Sequence, residues 1–270
     1  MNFEQNIQAR FKTEWLNNGR LLPYHLTLCG AFEIADKIAK KRTELNAKGT
    51  LSAKGLDEAM REFVTKECIP DLARSRCKLE ASADAVTAKR QALTIPKPDK
   101  GDVAGALLRQ ELRAHLRSMA PGDRAALLMR NPDPATIAAV FEAPNHLSGI
   151  DDQLRTKLEA DIVAASHPEK LKEIEVEREC INLADIAINH AVDNIRKATG
   201  YEHSNGKAFD EFMSKASAPI EAEFAKKGMP AARNVEDMVE LYKAMNKQDQ
   251  NDFIARWVSG ELDPVQQQAA

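Results

Sequence analysis

The sequence predicts an all-α protein, and three observations carry that expectation. Apolar residues recur at helical spacing along most of the chain, two ladders of aliphatic residues repeat every seventh position, and the segments between them carry the chemistry of helix caps and breaks. No run alternates apolar and polar residues long enough to suggest a strand. The expected architecture is an elongated multi-helix bundle with long heptad-patterned helices at about 72–93 and 168–199.

The first ladder is Ile174, Ile181, Ile188 and Ile195, between Pro168, suited to a first helical turn, and Gly200, suited to a helical stop. Seven residues are two helical turns, so these side chains form one row that requires another apolar surface. At ~1.5 Å per residue the helix is roughly 48 Å long. The second ladder is Leu72, Leu79, Val86 and Leu93. The two rows are expected to pack together, within one chain or between chains. Neither is a full coiled-coil seam, because Arg76, Arg90, Arg178 and Asp185 occupy intervening seam positions.

In chain order, Phe3, Ile7, Phe11 and Trp15 mark an amphipathic helix ending near Gly19 and docking on the body of the protein. A second helix runs from about Tyr24 to Ala47, with Phe32, Ile34, Ala35 and Ile38 inward, and Gly49 ends it. Ser52 caps a helical stretch to Leu93 that kinks or breaks at Pro70, since proline lacks an N–H and crowds the preceding turn. The segment IPKPDKGD then reads as an extended connection. Helices are expected at about 103–119, 122–130, 134–143 and 149–166, punctuated by Pro121, Asp133, Pro134 and a Ser148-x-x-Asp151 capping box. After Gly200, Phe209, Phe212 and Met213 open a helix that Pro219 interrupts and Ile220 and Phe224 continue. Asn234 caps a helix bearing Met238, Val239, Tyr242 and Met245, Asp249 caps another bearing Phe253, Ile254, Trp257 and Val258, and the tail DPVQQQAA has nothing to bury. These breaks divide the chain into an N-terminal helical arm (1–95), a Pro-rich linker (96–102), a central helical body (103–206) and a C-terminal helical segment with a flexible tail (207–270).

With 43% hydrophobic and 29% charged residues over 270 positions, the composition is that of a soluble globular protein with a proper core. Cys29, Cys68, Cys77 and Cys180 stand singly with no CxxC pair, which reads as isolated thiols in a reducing compartment. The N-terminus carries Glu4 and Glu14 and no apolar core segment, and no run is long enough to span a bilayer, so the expected location is cytoplasmic with no membrane contact. The net charge of −3 hides an asymmetry: residues 1–130 hold 23 basic and 16 acidic side chains, or +7, leaving −10 for the rest. Opposed halves can attract each other within a chain, between copies, or toward partners.

Signatures for nucleotide-binding loops, zinc proteases and serine-hydrolase elbows are missing from the sequence. Asn182, Asp185, Asn189 and Asp193 form a polar row beside the isoleucines, with His190 at its edge. Such oxygen ligands need carboxylates from a facing helix to hold a divalent ion, and the helical di-metal Glu-x-x-His pattern is absent, so no metal and no cofactor is expected. The loop Tyr201, Glu202, His203, Ser204 and Asn205 gathers polar groups but reads as an ordinary interhelical connection. Arg109, Arg113 and Arg117 share one helix face and are candidate partner- or phosphate-binding residues. No aromatics interleave to stack bases, so pairing with an acidic surface of the same protein or a neighbour is the favoured use.

The segment Arg109-Gln-Glu-Leu-Arg-Ala-His115 also resembles the Arg-x4–6-His element of the helical HEPN ribonucleases, in which arginine and histidine from two protomers act on RNA. The resemblance covers only this segment. It implies a ribonuclease with Arg109 and His115 in its site; Arg196 to His203 has similar spacing but contains Gly200. The polar row would instead suit a metal-dependent hydrolase using Asp185 and Asp193, and the arginine row an adaptor that binds nucleic acid. The leading expectation is a non-enzymatic structural or assembly protein that self-associates or binds a protein partner, for instance as a component of a bacteriophage virion.

Overall fold

The structure is a computed structural model that describes residues 2–95, 99, 101–130, 132–202, 204, 206–227 and 242–259. Every regular element among the described residues is helical, so the protein is all-α. Most of the expected linker, His203, Asn205, the helix capped by Asn234 as far as residue 241, and the C-terminal tail lie outside the described residues. The chain forms two compact units: unit 1 is residues 1–87 with 175–270, and unit 2 is residues 88–174.

Unit 1 opens with α1 (Phe3–Arg10), closed by a reciprocal capping box between Asn2 and Gln5. The single helix expected through Trp15 does not form. The backbone becomes extended at Phe11, and a 3₁₀ turn (Thr13–Asn17) follows. Phe11 and Trp15 are both buried there and meet edge to face at 5.4 Å. Burying and pairing two large rings outweighs the few tenths of a kcal/mol per residue that helix propensity offers.

Helix α2 (Leu22–Lys48) is deeply enclosed over its first half. From Leu21 to Ala35 no residue is exposed, which is the mark of a helix surrounded by protein on all sides. Gly49, with φ of +62°, ends it as the sequence predicts. Ser52 Oγ then caps α3 (Ala53–Glu67) by accepting from Gly55 N–H. The break expected near Pro70 falls at Cys68, and Pro70 is the second residue of α4 (Ile69–Gln91), where its missing N–H has no helical partner to lose. Leu72, Leu79 and Val86 are buried along α4. Leu93 lies past the end of that helix and is half-buried, so the row is one member shorter than predicted.

Helix α10 (Pro168–Ala198) matches its predicted span to within one residue. In unit 1, Ile181, Ile188 and Ile195 are buried together with Ala184, Ala187, Ala191 and Ala198, whose small side chains allow neighbours close to the backbone; Ile174, in unit 2, is also buried. Polar bonds flank this face. Tyr24 Oη donates to Glu177 Oε1 at 3.1 Å, Arg76 Nη2 to Asn189 Oδ1 at 3.1 Å, and Arg61 Nε to the Thr199 carbonyl at 2.9 Å. Gly200 adopts φ of +78°, the left-handed conformation that favours glycine, and the Asp57 carboxylate lies close to where a Cβ would be.

Helix α11 (Gly206–Lys227) continues past Pro219 rather than stopping there. Pro219 and Lys215, whose carbonyl loses its usual partner, are both exposed, so water can replace the lost bond. At the end of the described chain, α12 (Lys247–Val258) is capped by Asn246, whose Oδ1 accepts from Asp249 N–H at 3.0 Å; Asp249, the expected cap, is the residue being capped. This helix packs on α2 at Gly30, where an added Cβ would fall 2.2 Å from Val258 Cγ2.

Unit 2 holds α5 (Val103–Ser118), α6 (Pro121–Met129), α7 (Pro134–Phe141), a single turn α8 (Asn145–Ser148) and α9 (Asp152–Ser166). Caps set the boundaries: Asp102 accepts from Gly105 N–H, Asp133 from Ala135 and Thr136 N–H, and Asp151 from Leu154 N–H. The predicted box is therefore shifted, because Ser148 ends α8, donating to the Asn145 carbonyl, and Asp151 alone caps α9. Leu116, Leu128, Val140, Ile150 and Leu158 form the core.

Candidate functional site

Of the arginine row singled out in the sequence, Arg109 and Arg113 are turned into unit 2, while Arg117 is exposed. Arg109 is only 5% exposed. Its Nε and Nη2 donate to the two Glu142 carboxylate oxygens at 2.9 and 3.3 Å, and its Nη1 donates to Asp102 Oδ2 at 3.3 Å. Arg113 Nη1 donates to Glu142 Oε2 and to the Ala139 carbonyl, each at 3.2 Å, and Arg117 Nη1 bonds the Leu147 carbonyl.

Two further arginines do the same work. Arg124 donates to the Leu116 and Met119 carbonyls at 2.6 and 2.9 Å. Arg155 donates to the Ala143 carbonyl and Asn145 Oδ1 at 3.0 and 2.6 Å, and lies over the Phe141 ring. The end of a helix leaves its last carbonyls without intrahelical partners and carries partial negative charge. Arg113 and Arg155 supply the missing donors around the end of α7, and bidentate pairing with Glu142 fixes the geometry. Arg109 holds the Glu142 carboxyl below its usual range, with Arg113 assisting.

This arrangement places Arg109 and His115 on different faces of α5: the arginine is buried in its ion pair, and the histidine is exposed. The structure does not bring them together. Nor does the row present three free cations to a phosphate backbone, since the guanidinium groups bond carboxylates and carbonyls of their own unit. A broad, shallow hollow of about 920 Å³ lies beside the clamp, lined by Glu142, Asn145, His146, Asp152 and Arg155 among others.

Unit 1 contains the arrangement that composition and motif reasoning missed. His25 and Cys29, one turn apart on α2, place Nε2 and Sγ 3.5 Å apart. The i, i+4 spacing was there to be read. A cysteine beside a histidine is the skeleton of a nucleophile and its base, but here the environment opposes the charged forms. Burial pushes the Cys29 thiol up to about 12, with Glu33 and Glu4 adding to the effect, and burial pushes His25 down to about 4. A reactive cysteine needs the reverse, a stabilised thiolate beside a stabilised imidazolium. Burial therefore favours the neutral thiol and the neutral imidazole. Phe11 at 5.0 Å and Tyr242 at 6.1 Å pack on the imidazole, and among the described residues its buried Nδ1 has no hydrogen-bond partner.

The polar row on α10 faces outward. Asn182, Asp185, Asn189 and Asp193 are all exposed, and Asn189 Nδ2 donates to Asp185 Oδ2 at 3.0 Å while its oxygen accepts from Arg76. Among the described residues no three His, Cys, Asp or Glu side chains converge as metal ligands, and no helix is long and apolar enough to cross a membrane. Tyr201 from the following loop stacks on Phe212 at 5.4 Å and lies under Arg61, a packing role rather than a chemical one.

Unit 2 also presents large apolar side chains outward. On the first turns of α5, Val103 is 71% exposed, Leu107 60% and Leu108 49%. Val103 and Leu107 are one turn apart and therefore neighbours on the helix surface. Comparison with protein-family models, with curated proteins and with solved structures returns no match.

Proposed function

We propose that this is a non-enzymatic assembly protein, a helical building block that joins copies of itself or a protein partner in a larger particle such as a virion. The observation that carries the reading is the exposed apolar surface of α5, Val103, Leu107 and Leu108. Three large aliphatic side chains left in water on one short stretch cost solvation free energy that association recovers, at about 25 cal/mol per Å² buried. Two further facts support it. Arg109 and Arg113, two of the arginines that suggested phosphate or RNA chemistry, are engaged inside unit 2, and burial favours the neutral form of both members of the cysteine–histidine pair.

Sedimentation velocity over a range of protein concentrations tests the reading. The parent chain is expected to associate, and Val103→Glu with Leu107→Glu is expected to abolish association while leaving the helical circular dichroism intact. A parent that stays monomeric at every concentration and retains no partner through α5 would overturn it. The ribonuclease reading has its own test: incubation with RNA should show no cleavage that His115→Ala removes.

A further inference from the structure

Between α11 and the part of α4 that lies in unit 1 runs a groove of about 300 Å³. That is the lower end of the roughly 300–1,000 Å³ typical of small-molecule sites, so it suits one or two side chains rather than a cofactor. Its floor is apolar, made by Ile69, Leu72, Ala73 and Met213. Its rim carries three carboxylates, Glu80, Asp210 and Glu221, all exposed. Arg76, the cation in the lining, donates to Asn189 on α10. Cys77 in the wall feels the negative surroundings: burial chiefly raises its thiol pKa, and Glu80 and Glu221 raise it further.

An apolar floor under an acidic rim selects an amphipathic cation, one with an aliphatic stem to lie along Leu72 and Met213 and a positive head to reach the carboxylates. Phosphate-bearing ligands and anionic membranes are repelled by the same rim. We propose that this groove docks a lysine- or arginine-bearing amphipathic helix of a protein partner, laid alongside α4 and α11 with its basic side chain in the groove. The site is separate from the α5 surface and does not rest on it.

The test uses the full chain and a fluorescein-labelled amphipathic peptide of leucines and lysines, with a matched peptide in which glutamate replaces lysine, and spermidine as a cation without an apolar face. Fluorescence anisotropy is expected to show salt-sensitive binding of the lysine peptide. Glu80→Gln with Asp210→Asn and Glu221→Gln should weaken it by about tenfold or more, since rim charges set attraction and partner choice. All three positions are exposed, and circular dichroism verifies that the variant folds. Site-resolved alkylation should slow at Cys77 under saturating lysine peptide, and Val103→Glu with Leu107→Glu should bind the peptide as the parent does. The proposal fails if the peptide does not bind, if the neutralised variant or the glutamate peptide binds equally well, if spermidine binds as tightly as the peptide, or if Cys77 alkylation is unchanged.

Discussion

Where α10 passes through unit 1, its inner face is Ile181, Ala184, Ala187, Ile188, Ala191 and Ile195, with no polar side chain among them; where α5 passes through unit 2, the inner face places Arg109 and Arg113 beside Leu116. Unit 1 surrounds two long helices and is held mainly by apolar burial. Unit 2 has shorter helices around a core of five buried aliphatic residues, and its charge-assisted bonds orient helix ends that so small a core leaves loosely specified. The contrast teaches that the same residue type has opposite meaning by context. A row of arginines on an amphipathic helix reads from spacing alone as an outward recognition surface, and beside the small core of unit 2 Arg109 and Arg113 instead form an internal clamp.

The two tryptophans, Trp15 and Trp257, both belong to unit 1, so tryptophan emission reads that unit while circular dichroism reads both. The largest effect should come from Ile188→Asp, which puts a carboxylate at a fully buried position. A loss of roughly 3–5 kcal/mol is expected in the tryptophan-detected denaturant transition. A variant as stable as the parent would remove apolar burial as the basis of unit 1.

Next is the pH response of the same unit. His25 is held neutral in the fold, so its contribution is complete above its ordinary pKa of 6.5 and is lost as pH falls from there toward about 4. Glu33, raised to about 7 by burial, acts in the opposite sense, stabilising as pH falls from 7 toward its ordinary 4.5. Subtracting the stability of His25→Phe from that of the parent isolates the histidine. The difference should shift against the parent by up to about 3 kcal/mol between pH 6.5 and 4 and then level off; a flat difference would show that the imidazole is not enclosed.

Gly30→Ala should cost about 1–2 kcal/mol, because the new methyl overlaps Val258 while gaining some helix propensity. Trp257 emission should report the displaced α12, and adding Val258→Ala should recover most of the loss. The smallest effect, and the one that defines unit 2, is expected from Glu142→Gln, which leaves buried Arg109 without its bidentate carboxylate. The circular-dichroism transition should fall modestly while the tryptophan transition stays in place; coincident shifts would show that the two units unfold together. Glu142, Asp133 and Asp102 are all depressed by their hydrogen bonds, so the stability they add is present above their ordinary values of 4.5 and 3.8 and is lost as pH falls below them.

Much of the helical frame was legible because its signals are local. Ser52, Asp133, Gly49 and the isoleucine ladder each act through neighbours within one or two turns, and the helices they mark lie where the sequence put them. The misses have a common cause in contacts distant in sequence. Phe11 leaves its helix to meet Trp15 and His25, and the first half of α2, to Ala35, is enclosed on all sides although its pattern marked only one inner stripe. The groove between α4 and α11 joins residues more than a hundred positions apart, so no spacing announced it.

By itself, then, the sequence determined that this chain is helical, where most helices start and stop, and which rows must leave water, because helix periodicity and capping are short-range physics. Only the tertiary structure decided what faces those rows. It turned Arg109 and Arg113 inward onto Glu142 and the end of α7, enclosed His25 beside Cys29, and left Val103, Leu107 and Leu108 outside. The physical reason is that burial, desolvation and charge pairing depend on which surfaces meet, and a helical pattern fixes the surface without fixing its neighbour.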